Sequence, residues 1–134
     1  MDVDDFLLLP INGFIFISKS NIHGMGLFCK KKINSGVNLG PALFSNQISH
    51  QYKEYLSDDY SSLFESNDGS KSYNQIIGAR YANHSRIGNV ALLLPHPSSI
   101  IEMIATKDIH PGDEICGDYR PFYSYMNVDF PSFL

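Results

Sequence analysis

The stretch "ARYANHSRIGN", Ala79 to Asn89, decides how this chain folds. It places six polar or charged side chains among few apolar ones, shortly after the apolar pair Ile76 and Ile77. Polar groups that enter a protein core need hydrogen-bond partners. The stretch is therefore either a surface loop or a segment whose polar groups hold something, and the rest of the chain has to decide between the two.

Length and composition indicate one folded globular domain. The chain has 134 residues, of which 43% are hydrophobic and 18% charged, and this is enough for a single core. Eight tyrosines and nine phenylalanines without a tryptophan favour strands and pockets over a helical bundle. The net charge of −4 disfavours a direct nucleic-acid surface, which needs clustered Lys and Arg, and weakly favours a basic peptide partner.

The cysteines and the N-terminus bear on metal binding and localisation. Cys29 and Cys116 lie far apart, so a zinc site of four cysteines is excluded, and reduced, half-buried thiols are expected rather than a disulfide. "MDVDDFLLLP" lacks the basic start and long apolar core of a signal peptide. No stretch approaches the roughly 20 apolar residues of a membrane span. We expect a soluble intracellular protein with no membrane partner, and leave nucleus or cytoplasm open.

The hydrophobic pattern predicts a mostly β chain with many short strands. Ile48, Tyr52, Tyr55 and Leu56 recur at helical spacing, which predicts one short helix over 48–60. Pro41 is expected to limit the pairing of its strand. The predicted strands lie in "GFIFISKS" (13–20), "GLFCKKKI" (26–33), "VNLGPALF" (37–44), "VALLLP" (90–95), "IIEMIAT" (100–106) and "IHPGDEICGDY" (109–119).

Four motifs carry the functional signal, and each has a plain structural alternative. "HGMGLF" (23–28) has glycines that let a backbone approach a ligand, but a hairpin turn needs the same residues. "RYANHS" (80–85) is equally typical of an exposed polar loop. "ATKDIHPGDEI" (105–115) reads as a solvated turn between strands, and the tyrosine of "GDY" (117–119) as a core or rim residue.

In this order and spacing, the motifs resemble those of the SET-domain protein lysine methyltransferases. The resemblance covers about 14–123, which is nearly the whole chain. The matching positions are Gly24, Gly26, Leu27 and Phe28, then Arg80, Tyr81, Asn83, His84 and Ser85, then Ala105, Lys107, Asp108, Ile109, Gly112, Asp113, Glu114, Ile115, Asp118 and Tyr119.

The resemblance implies a β-clip, or SET, fold. Small sheets of short, mostly antiparallel strands are expected around a C-terminal pseudoknot, with one or two short helices. In the pseudoknot, the Asn-His-Ser segment passes under the loop formed by the later Gly-Asp-Glu segment, a rare threaded topology. The single domain 1–134 would divide into an N-terminal half (14–45), a short insert (46–72), a C-terminal half (73–119) and an aromatic tail without zinc (120–134).

The resemblance also implies a cofactor and a site. The cofactor is S-adenosylmethionine, with S-adenosylhomocysteine as product and no metal. The Asn83 side chain would contact its amino-acid end, the His84 backbone its adenine, and Tyr119 would be catalytic. The full cofactor-binding set is Gly24, Met25, Gly26, Leu27, Arg80, Asn83, His84 and Tyr119, and the substrate channel is Tyr81, Gly117, Phe122, Tyr123 and Tyr125.

The implied reaction is protein-lysine N-methylation of a histone or another basic protein. The amine must be neutral to attack the methyl group in line with the departing sulfur, although the reference pKa of lysine is about 10.4. An apolar channel and a nearby sulfonium both disfavour the ammonium form. Tyr119 would help to position the amine.

The chain departs from the family pattern at several positions, and two of these departures, the zinc-less tail and Gly117, keep an alternative open. The tail has no zinc-binding cysteines, Arg86 stands where a cysteine is frequent, and Gly117 replaces an aromatic residue. The alternative is a catalytically weak or inactive SET module that binds a protein partner. Without flanking targeting domains, substrate choice would depend on the SET surface or on a second subunit, such as that of a homodimer.

Overall fold

The computed structural model describes residues 5–56, 63–94 and 99–131. In this part of the chain no helix combines the length and hydropathy that a membrane span requires. The strands are β1 (Ile15–Lys19), β2 (Met25–Cys29), β3 (Asn38–Ser45), β4 (Leu63–Glu65), β5 (Ser72–Gln75), β6 (Asn83–His84), β7 (Val90–Leu93), β8 (Ile100–Ala105) and β9 (Glu114–Gly117). Helix α1 spans Arg120–Tyr125, and 3-10 helices span Pro10–Asn12, Ser49–Tyr55 and Ala79–Tyr81.

The strands form one hydrogen-bonded path in the order β1-β2-β9-β7-β8-β3-β5-β4. Most neighbours are antiparallel, but β6 and β7 both pair with β9 in parallel. Gly117 of β9 lies opposite His84 on β6 and also opposite Val90 on β7. The mostly β fold predicted from the sequence is confirmed, and the parallel pairs join the segments that the resemblance places in the pseudoknot.

The predicted strands form, with local differences. The strand expected over 26–33 ends at Cys29, and Ile33 makes an isolated bridge with Ile109. Pro41 lies in β3, which pairs with β8 and with β5. The register of β3 against β8 shifts between Pro41 and Leu43, because a bulge is where a strand tolerates the missing N–H of proline.

The helical regions differ more from the prediction. The helix expected over 48–60 is a 3-10 helix at Ser49–Tyr55 that is kinked at Tyr52. A ring contact explains the apolar spacing, because Tyr52 stacks on Phe44 with ring centroids 4.2 Å apart. Residues 57–60 of the prediction lie outside the described residues. The sequence did not predict the β4–β5 hairpin or helix α1.

The core includes an N-terminal segment that lies outside the predicted SET halves. The rings of Phe6 and Tyr55 have centroids 6.3 Å apart, and the backbone carbonyl of Leu8 passes close to Gly78. A Cβ atom at Gly78 would lie 1.7 Å from that oxygen, so no other residue fits there. The largest fully buried side chains are Phe6, Phe44, Leu8, Ile15, Leu27, Ile33, Leu39, Ile76, Ile101, Ile109, Ile115 and Met126.

Candidate functional site

Residues 88 and 89, at the end of the 79–89 stretch, contact strand β9. The Asn89 side chain donates to the carbonyl of Glu114 at 2.9 Å and accepts from the backbone N–H of Cys116 at 3.1 Å. Gly88 lies so close to β9 that a Cβ atom there would be 2.1 Å from the carbonyl oxygen of Cys116. The polar side chain of Asn89 therefore finds its hydrogen-bond partners in β9, which the residue pattern alone did not predict.

Asn83 connects β6 to the loop that precedes β2. Its Nδ2 lies 3.1 Å from the carbonyl oxygen of His23, 3.3 Å from that of Met25 and 2.9 Å from Oε2 of Glu114. Its Oδ1 accepts no hydrogen bond from any described residue. Asn83 thus presents a free acceptor beside the "HGMGLF" loop, where the sequence predicted a ligand.

The "HGMGLF" loop (23–28) is only partly exposed. Gly24 has a positive φ of 45° with open space around it, and the Met25 side chain is half-exposed. Leu27 is fully buried between β1 and β9, in register with Ile17 and Ile115. The structure therefore places Gly24 and Met25 at the surface of the loop and Leu27 in the core.

The backbone of His84 and its ring face different partners. Ser85 donates its N–H to the Gly117 carbonyl, so the N–H and C=O of His84 point away from β9. No described strand pairs with that edge of β6. Nδ1 of the ring accepts the backbone N–H of Tyr119 at 3.0 Å, and the two rings have centroids 5.3 Å apart.

An apolar cleft lies next to Tyr119. Its volume is about 60 Å³. Burial raises the pKa of Tyr119, and the nearby Tyr123 and Cys116 raise it further, so the hydroxyl stays protonated at neutral pH. This hydroxyl makes no hydrogen bond with the described residues. The lining residues are Ala42, Leu43, Phe64, Gln75, Ala79, Ala82, Val90, Ala91, Leu92, Met103, Gly117, Asp118, Tyr119, Phe122 and Tyr123.

The predicted channel residues separate into two groups. Gly117, Phe122 and Tyr123 line the cleft together with Tyr119. Tyr125 lies elsewhere: its hydroxyl is 2.9 Å from that of Tyr73, in a polar groove with Lys71 and Ser45. Tyr125 therefore does not line this cleft, and its predicted place in the substrate channel stays a prediction.

Arg80 and Tyr81 face each other at the end of a 3-10 helix. The Arg80 guanidinium lies over the Tyr81 ring, 5.2 Å from its centroid, and Nη1 donates to the Tyr81 hydroxyl at 3.4 Å. Tyr81 is not among the residues that line the cleft. The sequence predicted a cofactor contact for Arg80 and a channel position for Tyr81, and both stay predictions.

The sequence did not predict an ion pair at the cleft. Arg120 donates to Asp118 through Nε at 2.9 Å and through Nη2 at 2.6 Å. The hydrogen bond from Arg120 holds the pKa of Asp118 at about 2, below its ordinary value of 3.8. The carboxylate that lines the cleft is therefore compensated by a guanidinium two residues away. The adjacent Asp-Tyr-Arg order was the signal available in the sequence.

Comparison with known proteins identifies the family. The family model that describes the SET domain matches residues 24–120 of this sequence. The chain belongs to the SET-domain family. A comparison with curated proteins gave no significant match.

Solved structures share the fold of this SET domain. The Chaetomium thermophilum polycomb repressive complex 2 aligns with a TM-score of 0.54 and 24% identity, covering 78% of this chain and 15% of that one. The same complex bound to S-adenosylmethionine gives 0.52 and 24%, with the same coverage. A candidate histone methyltransferase of Plasmodium falciparum gives 0.51 and 23%, covering 78% of this chain and 91% of that one. This SET domain thus spans about one seventh of the Chaetomium chains it matches.

Both cysteines are free thiols, and Cys116 is half-buried as predicted, whereas Cys29 is fully buried. Burial raises the pKa of each thiol. Among the described residues, no group of three or more His, Cys, Asp or Glu side chains is placed to hold a metal ion.

Proposed function

We propose that this SET domain is an S-adenosylmethionine-dependent protein-lysine N-methyltransferase. The observation that carries the proposal is the contact between His84 and Tyr119. It joins a strand edge whose backbone groups bond to no described residue with a half-buried tyrosine that lines an apolar cleft. A cofactor surface and a lysine channel would then meet at Tyr119.

The donors and acceptors that β6 presents fit the cofactor. The N–H and C=O of His84, which bond to no described residue, match the hydrogen-bonding edge of an adenine. The free Oδ1 of Asn83 is an acceptor and suits the ammonium of the methionyl end. When bound, S-adenosylmethionine supplies a methyl group on a cationic sulfur. A relative of this fold, the Chaetomium complex, has been solved with that cofactor.

The cleft fits the side chain of a lysine that has lost its proton. Most of its lining is apolar, which disfavours an ammonium. Asp118 would favour the ammonium, but Arg120 holds its carboxylate. The protonated Tyr119 hydroxyl is free to donate a hydrogen bond to the amine lone pair or to accept one from its N–H. It therefore orients the amine and does not act as a base.

The proposed substrate is a lysine in a basic protein segment, such as a histone tail. The net charge of −4 supports a basic partner. One solved structure of the Chaetomium complex contains modified and substituted forms of H3, and a histone tail is proposed here as the same class of substrate.

Calorimetry and labelled methyl transfer test the proposal. Wild-type protein is titrated with S-adenosylmethionine and then assayed with labelled cofactor on histones and other basic proteins. Asn83→Ala should bind the cofactor more weakly by about 1.5–3 kcal/mol, because it loses a bond to a charged group. Cofactor binding without transfer to any protein would favour the protein-binding module over the enzyme. No binding by the wild type would contradict the proposal.

A further inference from the structure

A carboxylate that the proposed chemistry does not use lies behind Asn83. Both carboxylate oxygens of Glu114, at the start of β9, are 2.8 Å from the hydroxyl of Ser20. Oε2 also accepts from Nδ2 of Asn83 at 2.9 Å. The three residues come from three distant segments of the sequence, and Ser20 is almost fully buried.

The chemistry of the partners determines where each proton points. The Ser20 hydroxyl accepts the backbone N–H of Ile22 at 2.9 Å and Nδ2 of Asn83 at 3.2 Å, so its own proton is left for Glu114. Nδ2 of Asn83 is surrounded by oxygens, of which the carbonyls and the carboxylate cannot donate. The amide therefore turns its NH₂ inward and its Oδ1 outward.

The same cluster shapes the glycine loop. Ser20 donates its backbone N–H to the carbonyl of Gly24 at 2.8 Å and so closes the loop. Asn83 donates to the carbonyls of His23 and Met25 in that loop. The position of the loop and the direction of the Asn83 amide are thus set by one group of hydrogen bonds.

Gly26 makes room for this carboxylate. A Cβ atom at position 26 would lie 2.6 Å from Oε2 of Glu114 and 2.9 Å from Cβ of Ser20. A side chain at position 26 would therefore displace the Glu114 carboxylate or Ser20. Packing inside the protein thus favours a glycine at position 26, in addition to the close approach to a ligand that glycine permits.

We propose that Glu114 and Ser20 are positioning residues of the cofactor site. They hold Asn83 with its acceptor toward the methionyl ammonium and hold the 20–25 loop in place. The inference rests on the proposed cofactor and adds two residues that act through Asn83. Replacing Glu114 by glutamine keeps the shape of the side chain but replaces one carboxylate oxygen by an NH₂ group. This group then faces either the Ser20 hydroxyl proton or the NH₂ of Asn83, so two hydrogen-bond donors oppose each other.

Calorimetry with S-adenosylmethionine tests the positioning role. Glu114→Gln should weaken cofactor binding about tenfold or more, as expected for a bond to a charged group. Glu102→Gln is the matched control, because Glu102 also accepts from an asparagine amide, that of Asn38 at 3.0 Å. The control should bind the cofactor as the wild type does.

Kinetics separate positioning from a contribution to folding alone. Glu114→Gln should raise the KM for the cofactor and leave kcat at saturating cofactor within about twofold, since the reacting groups are untouched. Unchanged cofactor affinity with a lowered melting temperature would overturn the inference. Absence of cofactor binding in the wild type would instead overturn the proposed function.

A second variant covers the case in which Glu114→Gln does not fold. Ser20→Ala removes the proton that the carboxylate accepts and should also weaken cofactor binding. In a folded double variant, the two effects should be less than additive, because both act on one network. Wild-type affinity in Ser20→Ala would overturn the inference.

Discussion

The ring of His84 accepts the backbone N–H of Tyr119 at 3.0 Å through Nδ1. That nitrogen must be unprotonated in this arrangement, so the ring carries its proton on Nε2. The bond fixes the chain just after β9 against β6. It therefore sets the position of the Tyr119 backbone beside the cleft that this residue lines.

His84→Ala is expected to lower turnover about tenfold while it changes cofactor affinity less. The variant leaves the Tyr119 N–H without its acceptor, which costs about 1–3 kcal/mol of stability if the group stays buried. The backbone of His84, which is proposed to bind the cofactor, remains. Turnover, cofactor affinity and thermal unfolding are compared with those of His50→Ala, an exposed site. Wild-type turnover in His84→Ala would contradict a positioning role for the ring.

Tyr119→Phe should lose most methyl transfer, about 100-fold, and keep cofactor affinity. Misplacement of a reacting group by about 1 Å can cost that much. The matched control is Tyr52→Phe, since Tyr52 stacks on Phe44 outside the cleft. Single-turnover rates and calorimetry measure the two quantities. A variant that turns over like the wild type would make Tyr119 only a packing residue.

The rate should rise with pH from about 7 to 9, by up to tenfold per unit, because the neutral fraction of a lysine grows below its pKa of about 10.4. Burial raises the pKa of Tyr119, so its hydroxyl stays protonated over this range and adds no step of its own. The measurement is kcat/KM for a peptide at saturating cofactor. A flat profile would indicate a protein base or a slow step other than chemistry.

Gly117 is expected to allow products beyond the monomethyl state, because it adds no side chain to the cleft wall. A Cβ atom there would lie 3.1 Å from the carbonyl oxygen of Val90, which is tight. Gly117→Ala should therefore shift products toward monomethyl and lose about 1–3 kcal/mol of stability through overpacking.

Gly36→Ala is the control for this product shift. Gly36 has a φ of +87° and open space around it, so alanine strains the backbone without touching the cleft. Mass spectrometry of a methylated peptide distinguishes the products. Only monomethyl product from the wild type at long times would contradict the expectation.

The Asp118–Arg120 pair should make stability depend on acid pH. The folded-state pKa of Asp118 is about 2, against an ordinary value of 3.8, so the carboxylate stabilises the fold above about pH 4. This contribution is lost as the pH falls from about 4 to about 2. Arg120→Gln should move acid unfolding to higher pH, whereas Lys32→Gln, an exposed charge change, should not. Identical acid midpoints for the two variants would contradict the assignment.

The sequence alone predicted much of the strand structure and part of the candidate site. Alternation of side chains predicts β1, because a strand with one buried face alternates, and short apolar runs rich in β-branched residues predict β7 and β8. The family resemblance placed Gly117, Tyr81, Phe122, Tyr123 and Tyr125 in one substrate channel. Of these, Gly117, Phe122 and Tyr123 line a cleft together with Tyr119, and their roles in catalysis stay predictions. Such features depend on local spacing or on motif order, which a sequence displays directly.

The tertiary structure alone decided which polar groups satisfy one another. Nothing near Ser20 in the sequence indicates Glu114, which lies 94 residues away, yet their side chains are 2.8 Å apart. Gly88 lies against the backbone of β9, and Asn89 donates a hydrogen bond to it. Tyr125 contacts Tyr73 and does not line the cleft. Periodicity reports which face of an element is buried, whereas a hydrogen bond between distant segments depends on how the chain crosses itself. That crossing exists only once β6, which carries Asn83 and His84, has paired with β9.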